Sequence, residues 1–383
     1  MRLLIAGGGT GGHIYPALAV ARSLRARPGA AELAWLGGHR GLEATLVPPS
    51  GIPLRRLLLR SLRSATRDVH LVLDPIRLGL SIPQALVLLL ARRPAAIFTT
   101  GGYVAIPTLL AAAVLRIPSV LWEGNVVPGR SVRFVAARAT VLAVSYAETA
   151  AALGHPRAYV TGTPIRSLAG VDPDEAREAY GGRPGERILL VFGGSQAVRR
   201  INDAVTAALP RLVERVRVVH VTGDAGYAAA LAARQALPEA VRDRYRPHAF
   251  LYGDEMTRAL AAADLAVGRA GASSIAEAAA FALPMAIVPY PHASGHQRRN
   301  AELHAAAGAA VLVEDEDLDA DRLVAVAGLL ADPAAHAAMS AAARDLARPD
   351  AADAVADLVL ASAHREALPS QEEIEAVARG RRG

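Results

Sequence analysis

Twice along this chain a short apolar run breaks into glycines, and the glycines open a helix. Leu3 to Ala6 leads into Gly7-Gly8-Gly9-Thr10-Gly11-Gly12-His13, and Ile188 to Phe192 leads into Gly193-Gly194-Ser195-Gln196. Runs without polar alternation suit strands buried on both faces, as in parallel sheets covered by crossover helices. After the first loop the rhythm predicts a helix over Ile14 to Leu24 and strands at Leu33 to Leu36, Ile97 to Thr100, Ser119 to Trp122 and Val141 to Val144. Helices are expected near 105–115, 127–138 and 147–153, a strand ends within Arg157 to Pro164, and residues 169–186 read as a polar linker. The second loop is followed by predicted strands at Arg217 to Thr222, Ala249 to Leu251, Leu265 to Gly268, Met285 to Val288 and Ala310 to Leu312. The pattern implies an α/β chain of two Rossmann-like, doubly wound parallel-sheet domains, with ligands expected in a cleft at the carboxyl ends of both sheets.

The length of 383 residues fits two domains. Charge divides along the same line. Residues 1–166 carry 19 Arg against 6 acids, a net of +13, whereas residues 167–383 carry 23 Arg against 30 acids, a net of −7. A basic half suits nucleic acid, anionic lipid or a phosphorylated substrate. Aromatic residues are only 4% of the chain and do not interleave with the arginines, which argues against nucleic acid. There is no lysine, so the choice of Arg over Lys carries no functional weight. The absence of cysteine excludes disulfides, thiolate metal sites and a Cys nucleophile. No secretory signal is evident, and apolar runs such as 85–91 and 105–115 read as too short or interrupted to span a bilayer. A soluble cytoplasmic protein that can touch a membrane is expected, with the charged tail, 366–383, frayed.

Four loops carry candidate chemistry. The first satisfies G-x-G-x-x-G through Gly7, Gly9 and Gly12. A dinucleotide reading needs an acid at the end of the second strand, yet Glu32 precedes that strand, which ends in Gly37-Gly38. What survives is a helix start whose amides favour negative charge, with His13 at its mouth able to take a proton from a sugar hydroxyl. The second loop, through its backbone amides and the Ser195 hydroxyl, suits a diphosphate. The third is Arg269-Ala270-Gly271-Ala272-Ser273-Ser274-Ile275-Ala276-Glu277, where Glu277 could accept from ribose hydroxyls or close a capping box with Ser273 or Ser274. The fourth joins Pro289-Tyr290-Pro291-His292 to His296-Gln297-Arg298-Arg299-Asn300-Ala301, polar groups that could hold a sugar. No carboxylate accompanies His292 and His296 locally, so a metal site is not expected there.

In order and spacing, GGGTGGH, GGYV at 101–104, GGSQ at 193–196, RAGASSIAE at 269–277 and HQRRNA at 296–301 resemble the MurG family of GT-B glycosyltransferases over nearly the whole chain. The resemblance implies an acceptor-binding, membrane-facing domain over 1–163, a UDP-GlcNAc-binding domain over 164–345, and a helical segment over 346–383 that packs back on the first domain. It implies that Glu277 holds the ribose, that Ser195 and Gln196 meet the diphosphate with Arg166 nearby, and that Leu251-Tyr252-Gly253 present backbone groups to uracil. Ala272, Ser273 and Ser274, continued by Ile275 and Ala276, would cradle ribose and phosphates. Gln297, with Asn300 near it, would read the GlcNAc hydroxyls. Thr10, Gly11, Gly12, His13 and Asn125 would face the transfer point, with His13 and Asn125 catalytic. The implied reaction is an inverting displacement at GlcNAc by the muramyl C4 hydroxyl of an undecaprenyl-diphosphate-linked pentapeptide, without metal or other cofactor. Three departures stand out: Trp122-Glu123-Gly124-Asn125 where the family usually has His-Glu-Gln-Asn, Gly162-Thr163-Pro164 where it has Gly-Asn-Pro, and Ala197 where it has Gly.

Between Arg55 and Arg93, apolar residues (Leu57-Leu58-Leu59, Leu71-Val72-Leu73, Ile76, Leu78, Leu80, Ile82) alternate with Arg60, Arg63, Arg67 and Arg77. Such a mixture suits either a packed core with Arg solvating its outer face, which composition alone favours, or a patch on the cytoplasmic face of an anionic membrane, which the polyprenyl-anchored substrate implied by the resemblance favours. Other readings are a UDP-GlcNAc 2-epimerase of the same fold, a nucleotide-sugar-binding protein without catalysis, and a nicotinamide oxidoreductase, which the placement of Glu32 disfavours.

Overall fold

The computed structural model describes residues 1–29, 31–39, 41–59, 70–168, 170–193, 199–292 and 295–381. They form two compact units, one of Met1–Ser167 with Arg348–Gly383 and one of Leu168–Ala347.

The first unit is built on a parallel sheet of β1 (Arg2–Ala6), β2 (Glu32–Gly37), β3 (Leu54–Arg56), β4 (Ala96–Thr99), β5 (Ser119–Glu123), β6 (Val141–Val144) and β7 (Ala158–Val160), in the order β3-β2-β1-β4-β5-β6-β7. β4, β5 and β6 are buried at every position, so no polar face interrupts their apolar sequence. The chain winds outwards from β1 to β3, then returns to β4 on the other side of β1. The carboxyl ends of β1 and β4 therefore bound a topological switch point, where open α/β sheets bind ligands. Glu32 begins β2, at the strand end away from the glycine loop, and pairs with Arg2.

The C-terminal segment completes this unit. Helix Ala351–His364 buries Ala354, Val355, Leu358 and Val359 in one core with Ile5, Ile14 and Trp35. Arg27 on helix Gly11–Ala26 pairs with Asp357 at 2.6 Å. The tail expected to fray is instead helix Gln371–Ala378, started by a capping box between Ser370 and Glu373 and anchored by buried Ile374 and Ala378.

A second expectation also needs correction. Within helix His70–Arg92, residues Leu73–Arg92 form a stretch long and apolar enough to cross a membrane, although little of it is buried. Counting contiguous apolar runs missed it, because Asp74 and Arg77 interrupt the run without breaking the helix and pair with each other at 3.1 Å. Its inner face, with Ala85 and Leu89, packs into a core with Ile97 and Val104, while Ile76, Leu80, Val87 and Leu90 are exposed. Leu57 and Leu59 belong to the same core, so only Leu58 of that triplet reaches the surface. Arg60, Arg63 and Arg67 lie outside the described residues, as do the side chains of Leu71 and Val72.

The second unit holds β8 (Ile188–Phe192), β9 (Arg217–Val221), β10 (Tyr245–His248), β11 (Leu265–Gly268), β12 (Met285–Ile287) and β13 (Ala310–Leu312), all parallel, in the order β10-β9-β8-β11-β12-β13. Its switch point falls between β8 and β11. The strand expected at Ala249 to Leu251 is β10, a few residues earlier. It is an edge strand, where Pro247 is tolerated and an apolar run is not required. The expected linker contains helix Pro173–Ala179, capped by Asp172, whose carboxylate accepts from Asp174 N–H at 2.8 Å. The helix predicted over 127–138 is a shorter one, Arg130–Val135, followed by a 3-10 turn over Ala136–Arg138.

Candidate functional site

The loop of residues 7–10 stands at the first unit's switch point, between the end of β1 and helix Gly11–Ala26. Thr10 is the N-cap but makes no side-chain capping bond, so the amides of Gly11 and Gly12 must find partners beyond the helix. His13, in the first turn, is half-buried. Its Nδ1 lies 2.7 Å from the Thr100 carbonyl oxygen, and Thr100 Oγ1 donates to the His13 carbonyl at 2.8 Å. A carbonyl only accepts, so Nδ1 carries the proton and Nε2 is the acceptor nitrogen of the neutral ring. The ring rests on Gly102, where a Cβ would come within 3.4 Å of Nε2. Gly101 and Gly102 have φ of +79° and +71°, which lets the chain turn sharply from β4 into helix Gly102–Leu115 beside the imidazole.

Sequence reasoning missed Glu43. This residue has no exposed surface and sits under the glycine loop. Its Oε2 accepts from Gly9 N–H at 2.8 Å, and its Oε1 accepts from Gly38 N–H at 2.8 Å and Tyr103 O–H at 3.2 Å. The phenol of Tyr103 is pushed well above its ordinary pKa by burial first and then by the Glu43 charge, so it stays a donor. The only signal in the sequence is the glycines at 8, 37 and 41, whose missing Cβ atoms leave the space that Glu43 fills.

Asn125 is held by a second buried carboxylate. Glu123, 4% exposed at the end of β5, accepts from the Asn125 backbone N–H at 3.0 Å and from Asn125 Nδ2 at 2.9 Å through Oε1, and from Gly129 N–H at 2.9 Å through Oε2. These two bonds to one carboxylate fix the orientation of the Asn125 side chain. Trp122, Gly124, Gly162 and Thr163 lie close to this carboxylate in sequence or through hydrogen bonds. A Cβ on Gly124 would clash with the edge of the Trp122 indole, and Trp122 Nε1 donates to the Gly162 carbonyl at 3.0 Å. Thr163 in turn shares a 2.7 Å hydrogen bond with Ser145. The indole at 122 thus depends on the missing side chain at 124. Arg166, expected near the diphosphate, belongs to the first unit, with its guanidinium 5.7 Å from the Tyr15 ring centre.

In the second unit Ser195, Gln196 and Ala197 lie outside the described residues. The loop after β11 is described throughout. Arg269 is buried, paired with Asp315 and set over the Tyr290 ring at 5.5 Å. Helix Ala272–Ala280 starts from Gly271 with no side-chain cap, so the capping-box alternative for Ser273, Ser274 and Glu277 is not formed. Ser273 Oγ is buried without a hydrogen-bond partner, a cost of about 1–3 kcal/mol that a ligand oxygen would remove. Ala272, Ser274 and Ala276 are half-buried at this start, and Glu277, 7% exposed, follows within the helix. Ile275 packs in the core, so only its backbone is available to a ligand. Gln297 accepts from Tyr290 N–H at 2.9 Å through Oε1. Asn300 is fully buried and donates to the Ala270 carbonyl at 3.2 Å, which ties its helix to the loop after β11.

Ahead of helix Asp254–Ala262, Tyr252 is 65% exposed, and its N–H is already committed to Glu255 at 3.0 Å. Of the segment expected to present backbone groups to uracil, the Tyr252 donor is therefore engaged, and Gly253 supplies the turn at φ +51°. Among the described residues, no group of three or more His, Asp or Glu side chains is arranged to hold a metal ion.

Residues 3–144 match the glycosyltransferase family 28 N-terminal domain, and residues 188–355 match the family 28 C-terminal domain. The chain is 39% identical over 371 residues to the UDP-N-acetylglucosamine–N-acetylmuramyl-(pentapeptide) pyrophosphoryl-undecaprenol N-acetylglucosamine transferase of Moorella thermoacetica, covering 94% of this chain and 98% of that one. It is 37% identical to the protein of the same name from Desulforudis audaxviator, with the same shares covered. Among solved structures it resembles the crystal structure of Acinetobacter baumannii MurG, with a TM-score of 0.75 and 26% identity over 94% of this chain and 99% of that one. The two sheets are accordingly those of the GT-B fold, and the chain belongs to the MurG family of glycosyltransferases.

Proposed function

We propose that this enzyme transfers GlcNAc from UDP-GlcNAc to the C4 hydroxyl of undecaprenyl-diphosphate-MurNAc-pentapeptide, with inversion, in peptidoglycan synthesis. The observation that carries the chemistry is the fixed His13 tautomer. With Nδ1–H given to Thr100, Nε2 can take the proton from the attacking hydroxyl as the new bond forms. The Asn125 side chain, oriented by Glu123, orients the acceptor sugar. The names of the close relatives support the choice of donor and acceptor.

The donor falls to the second unit. The start of helix Ala272–Ala280, with the unpartnered Ser273 hydroxyl, offers donors to the diphosphate, and Glu277 accepts from the ribose. As UDP leaves, its growing charge meets amides at a helix start. Gln297 and the loops at 195–196 and 251–253 complete the donor contacts. The protein works at the cytoplasmic face of an anionic membrane, which the exposed Ile76, Leu80, Val87 and Leu90 and the basic first half support.

The test is to incubate the protein with radiolabelled UDP-GlcNAc and a short-chain lipid-linked muramyl pentapeptide. Label passing to the lipid is the expected result. Conversion to UDP-N-acetylmannosamine would replace this reading by an epimerase, and bound but unchanged nucleotide by a binding protein.

A further inference from the structure

We infer that Glu43 is a positioning residue, whose buried carboxylate holds the glycine loop and, through it, the His13 imidazole in the arrangement the reaction uses. The inference rests on reading His13 as the base.

Three features carry it. First, the three groups that donate to Glu43 come from three segments that follow different strands: Gly9 after β1, Gly38 after β2 and Tyr103 after β4. One carboxylate thus ties together the segments that surround the switch point. Second, the space for it is kept open at the backbone. A Cβ would lie 2.5 Å from Glu43 Oε1 at Gly8 and 2.8 Å from Glu43 Cγ at Gly37, and Gly41 is closer still. A buried charge ringed by glycines is a costly way to fill a core, and departures of that kind gather where a site must be held. Third, both routes from Glu43 end at His13. One runs along the loop from Gly9 through Thr10 into the helix. The other runs through Tyr103, whose ring lies against Gly9 at φ +93° and whose neighbour Gly102 carries the imidazole.

The same geometry has a binding consequence. The Gly9 amide already serves an internal anion, and a pyrophosphate approaching this loop would meet a carboxylate beneath it. The literal G-x-G-x-x-G therefore shapes a seat for a sugar hydroxyl and its base, not for a dinucleotide.

The test uses Glu43→Gln and Tyr103→Phe in the full chain. A carboxamide has one accepting oxygen, so Gln at 43 turns its NH2 either to Gly9 N–H or to Gly38 N–H and Tyr103 O–H. Glu43→Gln is expected to lower kcat on the order of 100-fold, the scale set by a misplaced catalytic group, while the donor KM and UDP affinity hold. In a His13→Ala background the same change is expected to cost nothing further, because its effect passes through His13. The nitrogen-15 resonances of the His13 ring, identified by their loss in His13→Ala, are expected to shift in Glu43→Gln and, to a smaller extent, in Tyr103→Phe. Wild-type kcat in folded Glu43→Gln, equal losses in both backgrounds, or unmoved His13 resonances in both variants would overturn the inference. Should Glu43→Gln not fold, Tyr103→Phe decides. Should the wild type transfer no sugar, the proposed function fails while the ring resonances still decide whether Glu43 positions His13.

Discussion

Gly124→Ala places a methyl group in clash with the edge of the Trp122 indole. The indole has little freedom to withdraw, because it is 2% exposed and its Nε1 donates to the Gly162 carbonyl at 3.0 Å. Overpacking in a filled core costs about 1–3 kcal/mol, and stranding the buried Gly162 carbonyl and the indole N–H costs a further ~1–3 kcal/mol. A combined loss of about 2–6 kcal/mol corresponds to a fall in Tm of roughly 4–24 °C for a domain of this size. Thermal unfolding of the full chain, followed by near-ultraviolet circular dichroism, measures it. Trp122→Phe opens space beside position 124, so Gly124→Ala should cost at least about 1 kcal/mol less in that background. A Tm for Gly124→Ala within about 1 °C of wild type, well below the shift expected for 1 kcal/mol, would refute the coupling, as would strict additivity of the two changes.

His13→Ala should lower kcat by about 10²–10⁴-fold with UDP affinity kept, as expected for loss of a general base; full activity would remove His13 from that role. Glu277→Ala should weaken UDP binding by roughly tenfold or more, read by calorimetry, since a carboxylate hydrogen bond contributes about 1.5–3 kcal/mol. Leu80→Glu with Val87→Glu should reduce sedimentation with anionic vesicles while leaving Tm and UDP binding unchanged; undiminished sedimentation would move the membrane face elsewhere. His220, between Tyr245 and Asn202, is lowered by burial from 6.5 to about 3, and His304 to about 4. Because the unfolded chain takes protons that these folded rings refuse, stability is full above about pH 6.5 and falls as the pH drops towards those values. Denaturant unfolding should show a slope of roughly 2 kcal/mol per pH unit between about pH 6 and 5, since two rings contribute, and a flat profile there would contradict it.

Where periodicity and burial agree, the fold was legible. β1, β4, β5, β6 and β8 are central strands whose apolar runs need no partner to explain them. The misses lie where another constraint rules. β10 carries Arg246 and Pro247 and survives as an edge strand, which an apolar-run criterion passes over. Ser370 and Glu373 spell a capping box, but the charge around them reads as a frayed tail, and nothing in that pattern reveals that Ile374 and Ala378 enter the core. In the candidate site, the sequence singles out His13 and Glu277 because glycine-rich or small-residue loops frame them. Glu43 has no motif of its own, and its role depends on glycines that only the folded chain brings around it. Asn300 shows the converse, since its place beside Gln297 in sequence does not reveal that the helix turns it into the core.

The most direct test of sugar transfer with His13 as base is the anomeric configuration of the product. UDP-GlcNAc is α-linked, so a single displacement by the muramyl hydroxyl gives a β-linkage, and the coupling constant of the new anomeric proton reports it by NMR. A β-linked disaccharide on the lipid is the predicted result. An α-linkage, or UDP-GlcNAc left intact beside a competent acceptor, would contradict the account.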